Sequence, residues 1–135
     1  MIPNQRPFIV IDDNKLDCFI AEKIILNTGL SDDIRSFIDA QKALDFISTN
    51  QLVAESERCI IIVDIQMPLM NGFEFVEAFE QLPQSIQDNY YIYVLSSTIN
   101  ENDLNRVRNY RSVKHLLDKP LTSKKLSYLV EHLMD

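Results

Sequence analysis

Basic residues are scarce in this chain, and long apolar runs are missing. There are 13 Lys and Arg against 20 Asp and Glu, a formal net charge of −7. So acidic a chain is repelled by nucleic-acid phosphates unless its cations gather on one face. Along the sequence they are scattered, with only Lys124-Lys125 and Arg106/Arg108 close together. These pairs read as solvated surface, and nucleic acid is not an expected partner. An apolar run such as Cys59 to Val63 falls far short of the roughly 20 residues a bilayer-spanning helix needs. Met1 to Arg6 has no apolar stretch of signal-peptide length. No membrane association and a cytoplasmic location are therefore expected. The two cysteines, Cys18 and Cys59, lie inside apolar periodic segments. They read as small core residues, not as a disulfide or a metal pair.

What is present is enough for one domain: 135 residues, 46% of them hydrophobic, which excludes a disordered chain. Phe8 to Ile11 reads as a buried strand ending in Asp12-Asp13. Leu16, Ile20 and Ile24, widened by Phe19 and Ile25, predict the buried stripe of a first helix, with Gly29 as its C-cap. Ile34 to Phe37 is a weaker strand. Ala40, Ala43, Leu44 and Ile47 mark a second helix. The polar stretch Thr49 to Arg58 leads into the clearest strand, Cys59 to Val63, which ends at Asp64. Phe75, Val76, Phe79 and Leu82 define a third helix, stopped by Pro83. Tyr91 to Leu95 is a fourth strand ending at Ser96-Ser97, and Asn100 caps a fourth, mostly polar helix. Val113 to Leu117 is the fifth strand, ending at Asp118-Lys119-Pro120. Thr122 caps the last helix, with Leu126, Leu129, Val130 and Leu133 facing inward. Five strands alternating with five helices imply a parallel sheet covered on both faces.

The residues at the strand ends carry the chemistry. Asp12-Asp13, Asp64, Ser96 and Lys119 each follow an apolar strand, and a doubly wound sheet binds ligands beyond those carboxyl ends. A single acid there is usually a turn residue or a helix cap; suitable groups at every one of these ends are hard to assign to turns. Three clustered carboxylates repel one another. A divalent cation and the Lys119 ammonium restore neutrality, and oxygen ligands suit Mg²⁺. A carboxylate facing such a cation can act as a nucleophile toward a phosphoryl group.

At these residues the chain resembles the receiver domain of bacterial response regulators, including the single-domain chemotaxis type. The match comprises Asp12-Asp13, the segment Asp64-Ile65-Gln66-Met67-Pro68-Leu69-Met70-Asn71-Gly72, Ser96 and Lys119-Pro120. The resemblance implies a flavodoxin-like doubly wound (βα)5 fold with strand order 2-1-3-4-5. It also implies a single receiver domain over 1–135, with no output domain. Asp64 is then the phosphoacceptor. Asp13, Asp64 and the backbone carbonyl of Gln66 are the ligands of Mg²⁺ (or Mn²⁺), and Asp12 acts through a water. Ser96 and Lys119 each hold a phosphoryl oxygen, and the Lys119-Pro120 bond is cis. The implied partners are a sensor histidine kinase or histidine phosphotransfer protein, and an unknown downstream protein on the fourth helix, fifth strand and last helix. That face carries Arg106, Arg108, Lys124 and Lys125 beside Leu116. Such a protein is not an enzyme beyond its own phosphotransfer and autodephosphorylation.

Leu116 departs from the pattern, standing where the family often has Tyr or Phe, and it offers no phenol for aromatic gating. Tyr90, Tyr91 and Tyr93 read as strand formers with a hydroxyl at the rim. His115 and His132 lack the partners of a catalytic base or a metal ligand. Two other functions compete with phosphoacceptance. A phosphorylation-independent pseudo-receiver is disfavoured by intact Asp13, Asp64 and Lys119. A phosphatase of haloacid-dehalogenase type is disfavoured by Gln66, because that chemistry favours an acid two residues after the nucleophile.

Overall fold

The structure, a computed structural model, describes residues 6–49 and 58–132. Its elements in order are β1 (Phe8–Ile11), α1 (Lys15–Thr28), β2 (Ile34–Phe37), α2 (Ala40–Thr49), β3 (Cys59–Asp64) and α3 (Gly72–Phe79). There follow α4 (Gln84–Gln87), β4 (Tyr90–Ser96), α5 (Glu101–Arg108), β5 (Val113–Asp118) and α6 (Ser123–Glu131). The five strands form one parallel sheet in the order β2-β1-β3-β4-β5. β1 and β3 are buried along their whole length, which is why they read as unbroken apolar runs rather than as alternating ones.

Two cores flank the sheet, because successive strand residues point to opposite faces. One face sets Ile9, Ile11, Ile61, Val63, Ile92 and Val94 against α2, α3 and Val107 of α5. The other sets Phe8, Val10, Ile60, Ile62 and Tyr93 against α1 and α6. Cys18 and Cys59 are free thiols, one in each core. Burial, with Asp12 next, pushes the Cys18 thiol up to about 11, and burial raises the Cys59 thiol as well, so both cysteines serve as packing groups.

The expected caps are in place. Gly29 closes α1 with φ of 74°, the left-handed region that a glycine enters without strain. Asn100 accepts from the Asp103 amide and Thr122 from the Lys125 amide.

Three readings need correction. The buried stripe of α1 is Cys18, Ala21 and Ile25, whereas Leu16, Phe19 and Ile20 are 63, 54 and 46% exposed. This helix is apolar around most of its circumference, so periodicity could not choose a face. The sheet takes the side with the smaller Cys18 and Ala21, which allow close approach. The third helix ends at Phe79, before Leu82, and Pro83 caps the short helix α4 instead of marking a plain stop. The described residues therefore hold six helices rather than five. Leu133 and most of the polar stretch before β3 lie outside the described residues.

Candidate functional site

The strand register fixes the site. Asp12 directly follows β1, Asp64 ends β3 opposite Leu95, and Ser96 ends β4 opposite Asp118. The Lys119 amide then donates to the Ser96 carbonyl (2.8 Å), which pins the loop after β5 to the end of β4. Asp12, Asp13 and Asp64 each bring a carboxylate oxygen into one group, all within 4.8 Å of one another. The Lys119 ammonium stands 3.3 Å from Asp64 and 3.4 Å from Asp12.

Burial sets the electrostatics. Asp12 and Asp64 are each only 5% exposed, whereas Asp13 is exposed. Desolvation raises the carboxyls of both Asp12 and Asp64 above the usual carboxylate range; Lys119 opposes this without cancelling it. Burial alone would lower Lys119, but Asp12, Asp64 and Asp17 outweigh it and hold the ammonium above its ordinary value. The donor set therefore suits a hard divalent cation: clustered carboxylate oxygens, partly desolvated, with more negative charge than one lysine can balance.

Local structure explains the positioning. Asn14 caps α1, its side-chain oxygen accepting from the Leu16 and Asp17 amides, and its own N–H donates to Asp12 (3.0 Å). Gln66 lies in the loop after Asp64, and its N–H points at the Asp64 carboxylate (3.4 Å). That loop is bracketed by the Gly72 amide, which donates to the Ile65 carbonyl (2.9 Å), and by a capping box between Asn71 and Glu74. Leu69, in its middle, has φ of 69° and is fully exposed. The Lys119-Pro120 bond is cis.

Asp12, Asp13, Asp64 and Lys119 are thus brought together. Ser96 stands at the adjacent strand end, but its hydroxyl donates to the Thr98 carbonyl (2.6 Å) and accepts from the Thr98 amide (3.2 Å). Two contributors were missed in the sequence. Asp17 lies 3.6 Å from Lys119; its signal was its place in the first turn after Asn14, where side chains lean back toward the helix N-terminus. Lys125, read as solvated surface, donates to the carbonyls of Asp118 (2.9 Å) and Pro120 (3.0 Å) and pairs with the Asp118 carboxylate. It braces the loop that presents Lys119. Leu116 packs, partly buried, against the core.

Fold and site define a doubly wound α/β domain with an acidic, lysine-facing pocket at the carboxyl edge of its sheet. Residues 8–131 match the response regulator receiver domain, and the chain belongs to that family. It is similar to a response regulator receiver protein from Dyadobacter fermentans, at 32% identity and TM-score 0.84, over 93% of this chain and 95% of that one. A two component response regulator from Cytophaga hutchinsonii shares the fold at 24% identity and TM-score 0.83, over 97% and 98% of the chains. Stress response regulator protein 1 of Lodderomyces elongisporus is 30% identical over 78 residues, which is 56% of this chain but 20% of that protein. The chain thus spans about a fifth of that curated relative. Among the described residues no helix is long and apolar enough to cross a membrane.

Proposed function

We propose that this receiver domain accepts a phosphoryl group on Asp64 from a sensor histidine kinase or a histidine phosphotransfer protein, and that the added group switches partner binding or is relayed onward. The observation that carries this reading is Asp64 itself: a buried carboxylate at the end of β3, 3.3 Å from the Lys119 ammonium and clustered with Asp12 and Asp13. Asp13, Asp64 and the Gln66 carbonyl are the proposed holders of Mg²⁺ or Mn²⁺, with Asp12 adding charge at one remove. The cation would neutralise charge on the oxygens of the group being transferred.

The chain's own residues do the rest. An oxygen of ionised Asp64 forms the bond to phosphorus as the bond from phosphorus to the donor's imidazole nitrogen breaks. The electron pair leaves with that nitrogen, which takes a proton from solvent. Lys119 stays protonated throughout and pairs with one phosphoryl oxygen. Ser96 reaches another only by releasing Thr98, and this exchange of hydrogen bonds is a local switch that does not need an aromatic at Leu116. No external substrate is turned over in this reading.

Incubation with a small phosphodonor and Mg²⁺ tests it. One slowly decaying label per chain is expected. No label would indicate a pseudo-receiver, and repeated turnover of a phosphomonoester a phosphatase. Lys119→Ala is expected to keep its Mg²⁺ affinity but to bind the phosphoryl mimic beryllofluoride at least tenfold more weakly, the scale of one charge-assisted hydrogen bond at about 1.5–3 kcal/mol. Loss of Mg²⁺ affinity in a metal titration would contradict the role given to this lysine.

The exposed apolar side of α1 supports a protein donor. Ile20 lines a cavity of about 160 Å³ together with Asp12, Asp17, Lys119 and Pro120, and exposed Leu16, one turn earlier on the same helix, and exposed Phe19, next to Ile20 in sequence, extend its apolar surface. Phe19→Ser is expected to slow labelling by a phosphorylated protein donor roughly tenfold, the loss of about 1.4 kcal/mol of contact. Labelling by a small phosphodonor should stay unchanged. Equal loss with both donors would place the effect in the pocket rather than at the surface.

A further inference from the structure

We infer that the opposite edge of the sheet carries a second binding site, for a small anion bearing two or more phosphate-type groups. Arg58 immediately precedes β3, Tyr91 lies on β4, Arg111 precedes β5 and Lys114 lies on it. These residues line one cavity of about 280 Å³, with Gln84 and Gln87 of α4 forming another wall. The sequence hides this grouping, because the three cations come from segments that meet only where the strands begin.

Their partners make the case. The Arg58 guanidinium and the Lys114 ammonium each sit 5.1 Å from the Tyr91 ring centroid. Arg58 also donates to the Tyr91 hydroxyl (3.2 Å), and Arg111 donates to the Gln84 side-chain oxygen (3.3 Å). Among the described residues none of these three cations has a carboxylate within ion-pair distance, a state they share with Lys15, Lys23, Arg35, Lys42, Arg108 and Lys124; what sets them apart is that all three line one cavity. Asp88 lines the same cavity, and its carboxylate accepts from the Gln84 side-chain Nε2 (2.8 Å). Glu80 is occupied by the Ser112 amide and hydroxyl.

In a chain of net charge −7, carboxylates were available to pair these cations and do not. Three cations against one carboxylate, Asp88, leave the lining of the cavity positive until an anion enters. Neutral partners and the Tyr91 face hold the cations in place and leave most of each arginine's donor fork open, the geometry that grips an oxyanion in two places. The cavity lies at or below the small end of ligand sites, which run from about 300 Å³ upward, so it suits a diphosphate group rather than a polymer. A bound anion would tie α4 to the starts of β4 and β5, at the far end of the strands from Asp64.

Titration of the full chain with inorganic pyrophosphate, in magnesium-free buffer of low ionic strength, tests the site. Saturable one-to-one binding by calorimetry is expected. Amide NMR shifts should concentrate at residues 58, 91 and 111–114. Orthophosphate should bind about tenfold more weakly, and the Arg111→Gln/Lys114→Gln chain at least tenfold more weakly, each a difference of about 1.4 kcal/mol. The exposed single variant Arg111→Gln should fold as the parent does and still lose several-fold in affinity, which keeps the test valid if the double variant melts early. The site is refuted by non-saturable binding, by shifts spread over all basic residues, or by an unchanged affinity in Arg111→Gln.

Discussion

The Asp64→Asn chain is expected to take up no acid-stable, hydroxylamine-labile phosphate from either a small phosphodonor or a protein donor. An amide nitrogen shares its lone pair with its carbonyl and is no nucleophile, so the loss should be complete rather than partial, about 10³-fold or more against the parent. The same substitution has a second, independent readout. Desolvation holds the Asp64 carboxyl above the usual range, so its ionised form is less welcome in the folded chain than in the unfolded one. The sign follows from linkage. A raised folded value means stability is fullest below the unfolded value and declines as pH climbs through the folded one. In EDTA at neutral pH, Asp64→Asn should therefore melt higher than the parent, and its stability should fall less steeply with pH. Thermal melts across pH 3 to 8, roughly the span over which a perturbed carboxylate titrates, check this. Full labelling of the variant at another residue would move the acceptor elsewhere. An equal or lower melting temperature would mean that the Lys119 contact outweighs burial.

Much of this was legible because two signals coincide. A strand buried on both faces reads as an unbroken apolar run, and in a parallel sheet whatever follows such a run stands at the ligand edge. Asp12, Asp64 and Lys119 could be placed together on that ground alone, before any distance was known. What could not be read falls into two kinds. The first is choice of face. α1 offers apolar residues on nearly every side, so the pattern that points Leu16, Phe19 and Ile20 inward does not single out a face, and these three are exposed. α2 has a single apolar side and left no such choice; the expected Ala40, Ala43, Leu44 and Ile47 are its buried residues.

The second kind is long-range grouping of polar side chains. Asp17 beside Lys119, and Lys125 bracing the Lys119 loop, follow from helix geometry combined with a loop far away in sequence. The cations around Tyr91 meet only through strand register. No periodicity reports such meetings, since solvated and clustered charges look alike in one dimension. The Ser96 turn is similar: the residue is where the strand pattern puts it, but its Thr98 partner is a matter of one hydroxyl rotor.

Gly72→Ala is expected to damage both the fold and the site, and the reason is steric. A β-carbon on Gly72 would stand 2.6 Å from the Asp64 carbonyl oxygen and 2.9 Å from the Ile65 α-carbon. Both are backbone atoms and cannot rotate away. The loop between Asp64 and α3 is also closed at this point by the bond from the Gly72 amide to the Ile65 carbonyl. Relief must therefore come from moving either the start of α3, anchored by buried Phe73, Phe75 and Val76, or the end of β3. Overpacking of this kind typically destabilises by about 1–3 kcal/mol, which lowers the melting temperature of a domain this size by several degrees per kcal/mol. The second consequence is the more telling one. Any shift of the β3 end moves the acceptor carboxylate relative to Lys119, so labelling of Gly72→Ala should slow even well below its melting temperature. Leu69→Gly, in the same loop, is the matched control. It relaxes a left-handed residue whose side chain is fully exposed, and both stability and labelling should hold or improve. Melting curves and labelling rates for the two variants decide the point. A Gly72→Ala chain that melts and labels like the parent would mean that the helix start yields without disturbing Asp64, and that the close approach does not set the acceptor's position.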